Sequence, residues 1–201
     1  MNVKNAREHI ALQDLVVASL LSNGELCPLK KEPVLIVPFT KEKALYLLNY
    51  LKSNNLGEYV RVKEKSEEFE VILDTNLYKI TQEWYKNREK IFSKKLGATY
   101  VGYSTIILCI NLFGNRKLES IGIPSSIHKD LLKTLTYHME KCLEQTVIPG
   151  KNEIKIPEVP NLFLDTLSKV SSINSTEIAN FLTNHEKNKL IQVSSQRGGL
   201  S

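Results

Sequence analysis

The chain is poor in residues that build covalently or metal-held scaffolds. Its 201 residues include only three cysteines, Cys27, Cys109 and Cys142. They are widely spaced and form no C-x-x-C pair, which excludes a disulfide framework and a cysteine zinc site. They read as reduced core thiols of an intracellular protein. The four histidines, His9, His128, His138 and His185, show no ligand spacing with one another. Long apolar runs are also missing. The longest, near Thr105–Leu112, falls well short of the ~20 residues that cross a bilayer. Met1–Ala11 carries Lys4, Arg7 and Glu8 and no apolar h-region, so no secretory signal is expected.

What is present is an ordinary apolar fraction of 42% with 24% charged residues, the balance of a folded domain. The net charge is +5, which points to an anionic partner, most often nucleic acid. A bias toward Lys, Asn and Ile fits an AT-rich genome such as that of an organelle or a phage.

One stretch organises the rest: Leu15 to Leu21, then Ser22-Asn23-Gly24. Ala18 and Ser22 share one helical face, where small side chains let two backbones approach. Gly24 stands where a helix end takes a left-handed residue. The spacing predicts a first helix over Ile10–Ser22, strands at Glu25–Leu29 and Val34–Val37, and a helix capped by Thr40. A strand at Val60–Lys65, a return at Phe69–Leu73 and a helix carrying Leu77, Ile80, Trp84 and Tyr85 follow. The helical spacing of Trp84 and Tyr85 favours core packing over stacking on a base.

The order then restarts. Thr99–Phe113 reads as an apolar helix ending at Gly114, Asn115–Ile123 as a hairpin and Ser126 as the cap of the next helix. Val147–Ile156 reads as a second hairpin and Leu162–Val170 as a closing helix. Val37–Leu45 aligns with Ile123–Leu131 at a constant offset of 86 residues, sharing apolar-Pro-x-[Ser/Thr]-x-x-Lys-x-Leu. This is an internal repeat. The fold class expected is α+β, with two pseudo-symmetric αββαββα repeats. The divisions are 1–95, 96–171 and a polar C-terminal extension at 172–201. The two first helices would meet about a pseudo-two-fold axis, with Asn23-Gly24 and Phe113-Gly114 at its base.

An αββαββα repeat, each copy opened by a helix ending in glycine, resembles the two-motif, single-chain type of LAGLIDADG homing endonuclease. The likeness covers roughly Leu12 to Val170. Trp84-Tyr85-Lys86-Asn87-Arg88-Glu89-Lys90 matches the Trp-Tyr pair and later lysine that the family often places between its motifs. The resemblance implies saddle-shaped antiparallel sheets lying along a nucleic-acid duplex. It also implies divalent metals held by one carboxylate at the end of each motif helix. Here the acid positions hold Asn23, a neutral amide, and Phe113, which has no ligand atom. Glu25, one residue past the glycine, is expected to point elsewhere. No catalytic residue, metal or other cofactor is therefore expected, and the protein is read as a degenerate nuclease rather than an enzyme.

What the resemblance leaves is the binding surface. Lys30, Lys31, Arg61, Lys63, Lys65, Arg116, Lys117, Lys151 and Lys155 fall on or beside the hairpins and suit phosphate contacts. The partner expected is nucleic acid, with structured RNA favoured over DNA, because members of the family have been re-used as RNA-binding maturases. The reading is a resident of an organellar ribonucleoprotein, such as a mitochondrial ribosome beside its other proteins, or next an intron-splicing maturase, with no membrane and no homo-oligomer required. A bacterial or phage-infected cytoplasm is the other location. Three alternatives stand: an active site-specific DNA endonuclease, a DNA-binding regulator of the same fold, and a scaffold that binds no nucleic acid.

Overall fold

The computed structural model describes residues 3–27 and 32–197. Helix α1 runs over Val3–Leu21, starting earlier than expected because no Gly or Pro interrupts the polar turns before Ile10. Leu15 to Leu21 are buried on every side, as befits a helix that is apolar all round. Strands β1 (Glu25–Cys27) and β2 (Val34–Pro38), helix α2 (Ala44–Ser53), and strands β3 (Val60–Lys63) and β4 (Glu68–Ile72) follow. The four strands make one antiparallel sheet in the order β1-β2-β4-β3. The remainder of the expected first strand, Pro28 and Leu29, lies outside the described residues, as do Lys30 and Lys31.

Helix α3 (Thr75–Gln82) is capped by Asp74, whose carboxylate accepts from Leu77 N at 2.8 Å. It stops before Trp84. The expected helical placement of Trp84 and Tyr85 is corrected here. Trp84 is buried beside Phe92, but Tyr85 opens a small hairpin, β5 (Tyr85–Lys86) and β6 (Glu89–Lys90). The expected helix over Thr99–Phe113 is likewise two helices, α4 (Lys94–Tyr100) and α5 (Tyr103–Phe113), meeting at 95°. Val101 and Gly102 between them are both extended, and Nε2 of His138 lies 2.8 Å from the freed Val101 carbonyl.

The second half repeats the first: β7 (Asn115–Arg116), β8 (Ile121–Pro124), helix α6 (Lys129–Leu143), β9 (Ile148–Pro149) and β10 (Glu153–Ile156). Their sheet order, β7-β8-β10-β9, is the order of the first sheet position for position. Neither expected hydroxyl cap forms. Thr40 makes no capping bond and leads through a 3-10 turn into α2, and α6 is capped by His128 rather than Ser126. Helices α7 (Val159–Lys169), α8 (Ser172–Ala179) and α9 (Asn184–Arg197) complete the described chain.

Helices α1 and α5 pack together at the centre, as the repeat requires, and one apolar core runs through both halves. Gly24 does not take the left-handed backbone expected of it, since no described glycine has positive φ. The role of Gly24 and Gly114, which end the two helices, is close approach. A Cβ on Gly24 would stand 2.7 Å from Ser19 O, and one on Gly114 would stand 2.4 Å from Ile110 O. The polar extension also proves structured. Lys43 bonds Glu177 at 2.8 Å and lies over the Phe181 ring. Buried Asn111 of α5 donates to Tyr46 Oη and Asn174 O. No single helix among the described residues is long and apolar enough to cross a membrane.

Candidate nucleic-acid interface

The seam between the halves is built by crossed capping. The last carbonyls of a helix have no partner within it. Those of α1 are met by the loop after β8 in the other half. Ser125 Oγ donates to Leu21 O at 2.7 Å, and Ser126 N donates to Ser22 O at 3.3 Å. In return Ser22 Oγ donates to Pro124 O at 2.9 Å. The repeated Pro-x-[Ser/Thr] motif therefore supplies a C-cap across the seam at Ser126, not an N-cap within its own half.

A cavity of about 190 Å³ opens at the base of the helix pair, lined by Ser22, Asn23, Thr40, Leu112, Phe113 and Asn115 with Pro38, Phe39 and Pro124. The two expected metal positions, Asn23 and Phe113, thus come together as the repeat predicts. The lining holds amides, hydroxyls, prolines and apolar side chains, and no carboxylate. That donor set does not fit a hard divalent cation, which takes anionic oxygens. Among the described residues no three His, Cys, Asp or Glu side chains gather to hold a metal.

Glu25 lies outside this cavity, and its side chain is more than half exposed. Its carboxylate joins a second cluster at the seam. Lys90 Nζ lies 3.6 Å from Glu25 Oε1 and donates to Ser126 Oγ at 2.6 Å and to Ser22 O at 3.1 Å. Tyr85 donates its phenolic hydrogen to Glu25 Oε2 at 3.2 Å and accepts from Leu26 N at 3.1 Å. Lys90 is 5% exposed, and burial lowers its pKa to about 8, a fall that the Glu25 carboxylate opposes. Lys90, Tyr85 and Ser126 were not singled out for this role from the sequence. The signal available was the turn-forming Asn87 between Tyr-Lys and Glu-Lys, a hairpin pattern.

Of the expected basic residues, Arg61, Lys63 and Lys155 lie on the sheets' outward faces, in mixed company. Register aligns Glu25, Ile36, Glu70 and Arg61 in one row across the first sheet, and Pro38, Glu68 and Lys63 in the next. Lys63 bonds the buried carboxylate of Glu70 at 2.5 Å, and Arg61 lies 3.8 Å from Glu32. Lys65 is exposed in the turn beyond β3. In the second sheet Asn115, Gly122, Lys155 and Ile148 share a row. Lys117 and Lys155 both pair with Glu153, over the bare position of Gly122, and lower its pKa. Lys151 is exposed in the turn between β9 and β10. On these two sheets the carboxylates sit among the lysines on the strands, and the cations without an acid partner among the described residues, Lys65 and Lys151, sit at the turns.

Arg116 departs from the expectation. Its row is Ile121 and Ile156, both fully buried, so strand alternation puts it on the inner face. Its guanidinium donates to Glu186 of α9 at 2.9 Å. Its Nε and Nη1 are buried and have no partner. A larger recess of about 610 Å³ beside it, between α2 and α8, is lined by both signs of charge.

No family model matches the sequence, and neither does any curated protein. Among solved structures, the chain is similar to the homing endonuclease I-WcaI bound to its DNA recognition sequence. The TM-score is 0.55 at 14% identity, over 94% of this chain and 91% of that one. The fold of this protein is that of the LAGLIDADG homing endonucleases.

Proposed function

We propose that, on this homing-endonuclease fold, the protein binds nucleic acid along its two outward sheet faces without cutting it. The carrying observation is the cavity at the base of α1 and α5, where Asn23 and Phe113 stand and no carboxylate does. Phosphodiester cleavage by this fold needs anionic ligands for its metals, and a neutral amide and a phenyl ring supply none. The contacts proposed are Lys30, Lys31, Arg61, Lys63, Lys65, Lys117, Lys151 and Lys155. Arg116 is left out, since its place is under α9. Arg61 exchanges its exposed glutamate partner, Glu32, for a phosphate at little cost, because exposed ion pairs are worth about 0–1 kcal/mol.

The finer reading is structured RNA within an organellar ribonucleoprotein. It rests on the loss of the cutting residues together with the wide, shallow minor groove of A-form RNA, which a curved face can straddle by shape. Crosslinking the protein in its native extract and sequencing the attached nucleic acid tests it. Recovery of one DNA site with no RNA above background overturns it. Replacing Arg61, Lys63 and Lys65 together should weaken binding to all sequences and flatten its salt dependence by roughly one unit per lost contact.

One observation favours a second reading, a live DNA endonuclease. Glu25 and Lys90 form a carboxylate–ammonium pair at the seam, and I-WcaI, which shares the fold, is an endonuclease bound to DNA. Incubation of a DNA target with Mg²⁺ or Mn²⁺ separates the two. Metal-dependent cutting by the wild type that is lost in Glu25→Gln establishes the second and removes the first.

A further inference from the structure

We infer that the β5–β6 hairpin is a third contact element, a basic finger at the seam whose Lys86 and Arg88 bind phosphodiester oxygens of a duplex spanning both sheets. The inference rests on the nucleic-acid reading above and adds residues that reading does not include. The first ground is how the hairpin is held. Tyr85 Oη bonds the free edge of β1 at Leu26 N, and Lys90 Nζ reaches the end of α1 at Ser22 O. Ile91 N closes the base on Trp84 O at 2.8 Å, and Trp84 is fully buried. Both strands of the finger are thus rooted where the two halves meet.

The second ground is the turn. Lys86 pairs with Glu89, so the loop is the two residues Asn87 and Arg88. Their φ angles are 52° and 68°, the signature of a type I′ turn. Asn tolerates left-handed backbone, and Gly is the residue preferred at the second position. Arg is neither. The turn therefore carries a strained residue that glycine would relieve, and what glycine lacks is the guanidinium. The strained position displays that guanidinium at the exposed tip of the turn.

The third ground is charge. Arg61, Lys63, Lys117 and Lys155 all have carboxylate partners. Lys86 and Arg88 are exposed, and neither has an ion-pair partner among the described residues. These two cations stand free beside the seam, where a duplex lying on both sheets has to cross.

The test uses the full chain and two labelled duplexes of mixed sequence and equal length, one DNA and one RNA, titrated over a range of salt. Arg88→Gly should weaken binding about tenfold and reduce the slope of log affinity against log salt by roughly one unit. Its melting temperature should be no lower than the wild type's, since the turn is relieved. Arg88→Lys should recover the slope, and adding Lys86→Gln to Arg88→Gly should remove a second unit. Unchanged affinity and slope in Arg88→Gly, while the Arg61, Lys63 and Lys65 variant is weakened, overturns the finger and leaves the sheet reading standing. A wild type that binds neither duplex overturns both.

Discussion

Thr105 of α5 donates its hydroxyl hydrogen to the Asp14 carboxylate of α1 across 2.6 Å, a polar tie between the two central helices. Burial raises the Asp14 pKa above its ordinary value of 3.8, and the Thr105 bond opposes that rise without cancelling it. An acid whose folded pKa is raised binds more protons native than unfolded. The contribution of Asp14 to stability is therefore greatest at low pH and falls as pH climbs through the folded value. Asp14→Asn keeps an acceptor for Thr105 and cannot ionise. Its melting temperature should match or exceed the wild type's near neutrality, with the gap shrinking toward pH 4. A gap that does not vary with pH contradicts the assignment.

The side-chain amine of Lys90 should titrate near 8, against 10.5 for an ordinary lysine. Nitrogen-detected NMR of isotopically labelled lysine reads this directly. Because Glu25 raises the value against burial, Glu25→Gln should move the midpoint further down. A lysine folded with a lowered pKa binds fewer protons native than unfolded between the two values. Its contribution to stability thus improves as pH rises from about 8 toward 10.5. An unmoved midpoint in Glu25→Gln would show that the two groups are not coupled.

The helix-ending glycines predict a graded series. Gly114→Ala drives a methyl against Ile110 O, Ile121 and Phe181 and should cost about 3 kcal/mol. Gly24→Ala meets Ser19 first, at 2.7 Å from its carbonyl oxygen, and should cost about 1–2 kcal/mol. Gly57 has nothing within 4 Å of the added carbon, so Gly57→Ala should stay within about 0.5 kcal/mol of the wild type. Urea denaturation orders the three.

Helix α9 is held near its start by Glu186. Burial alone would raise the Glu186 pKa, but Thr183 and Arg116 outweigh it and lower the value. Glu186→Gln removes the charge that faces Arg116, whose other nitrogens are already without partners. Hydrogen exchange should quicken across residues 184–192 and remain unchanged in α1 and α5. Equal protection in both proteins would show that the apolar contacts of Leu190 suffice.

The central helices and the twin sheets were legible because a repeat states each pattern twice. Asn23 and Phe113 could be brought to one cavity by their glycines alone. The break at Val101-Gly102 was hidden because α4 and α5 share an apolar run without proline, and a bend there depends on a distant histidine. The hairpin at Tyr85–Lys90 was masked because Leu77, Ile80 and Trp84 continue a helical spacing that the chain abandons after Gln82. Arg116 was misplaced because a two-residue strand does not declare its inner side. The lysine–glutamate pairs depend on cross-strand register, which no local pattern carries.

The crossed caps at the seam have a consequence for how the chain is made. Ser22 is closed by Pro124 and Ser126, partners 102 and 104 residues further on. During synthesis α1 therefore emerges long before its end can be finished or its flank against α5 covered. The leading half must wait, with an apolar helix uncovered, until α5 and the loop after β8 have followed. Stalled or truncated chains that stop before Pro124 should collect as aggregation-prone intermediates, and a chaperone that shields α1 would act in that interval.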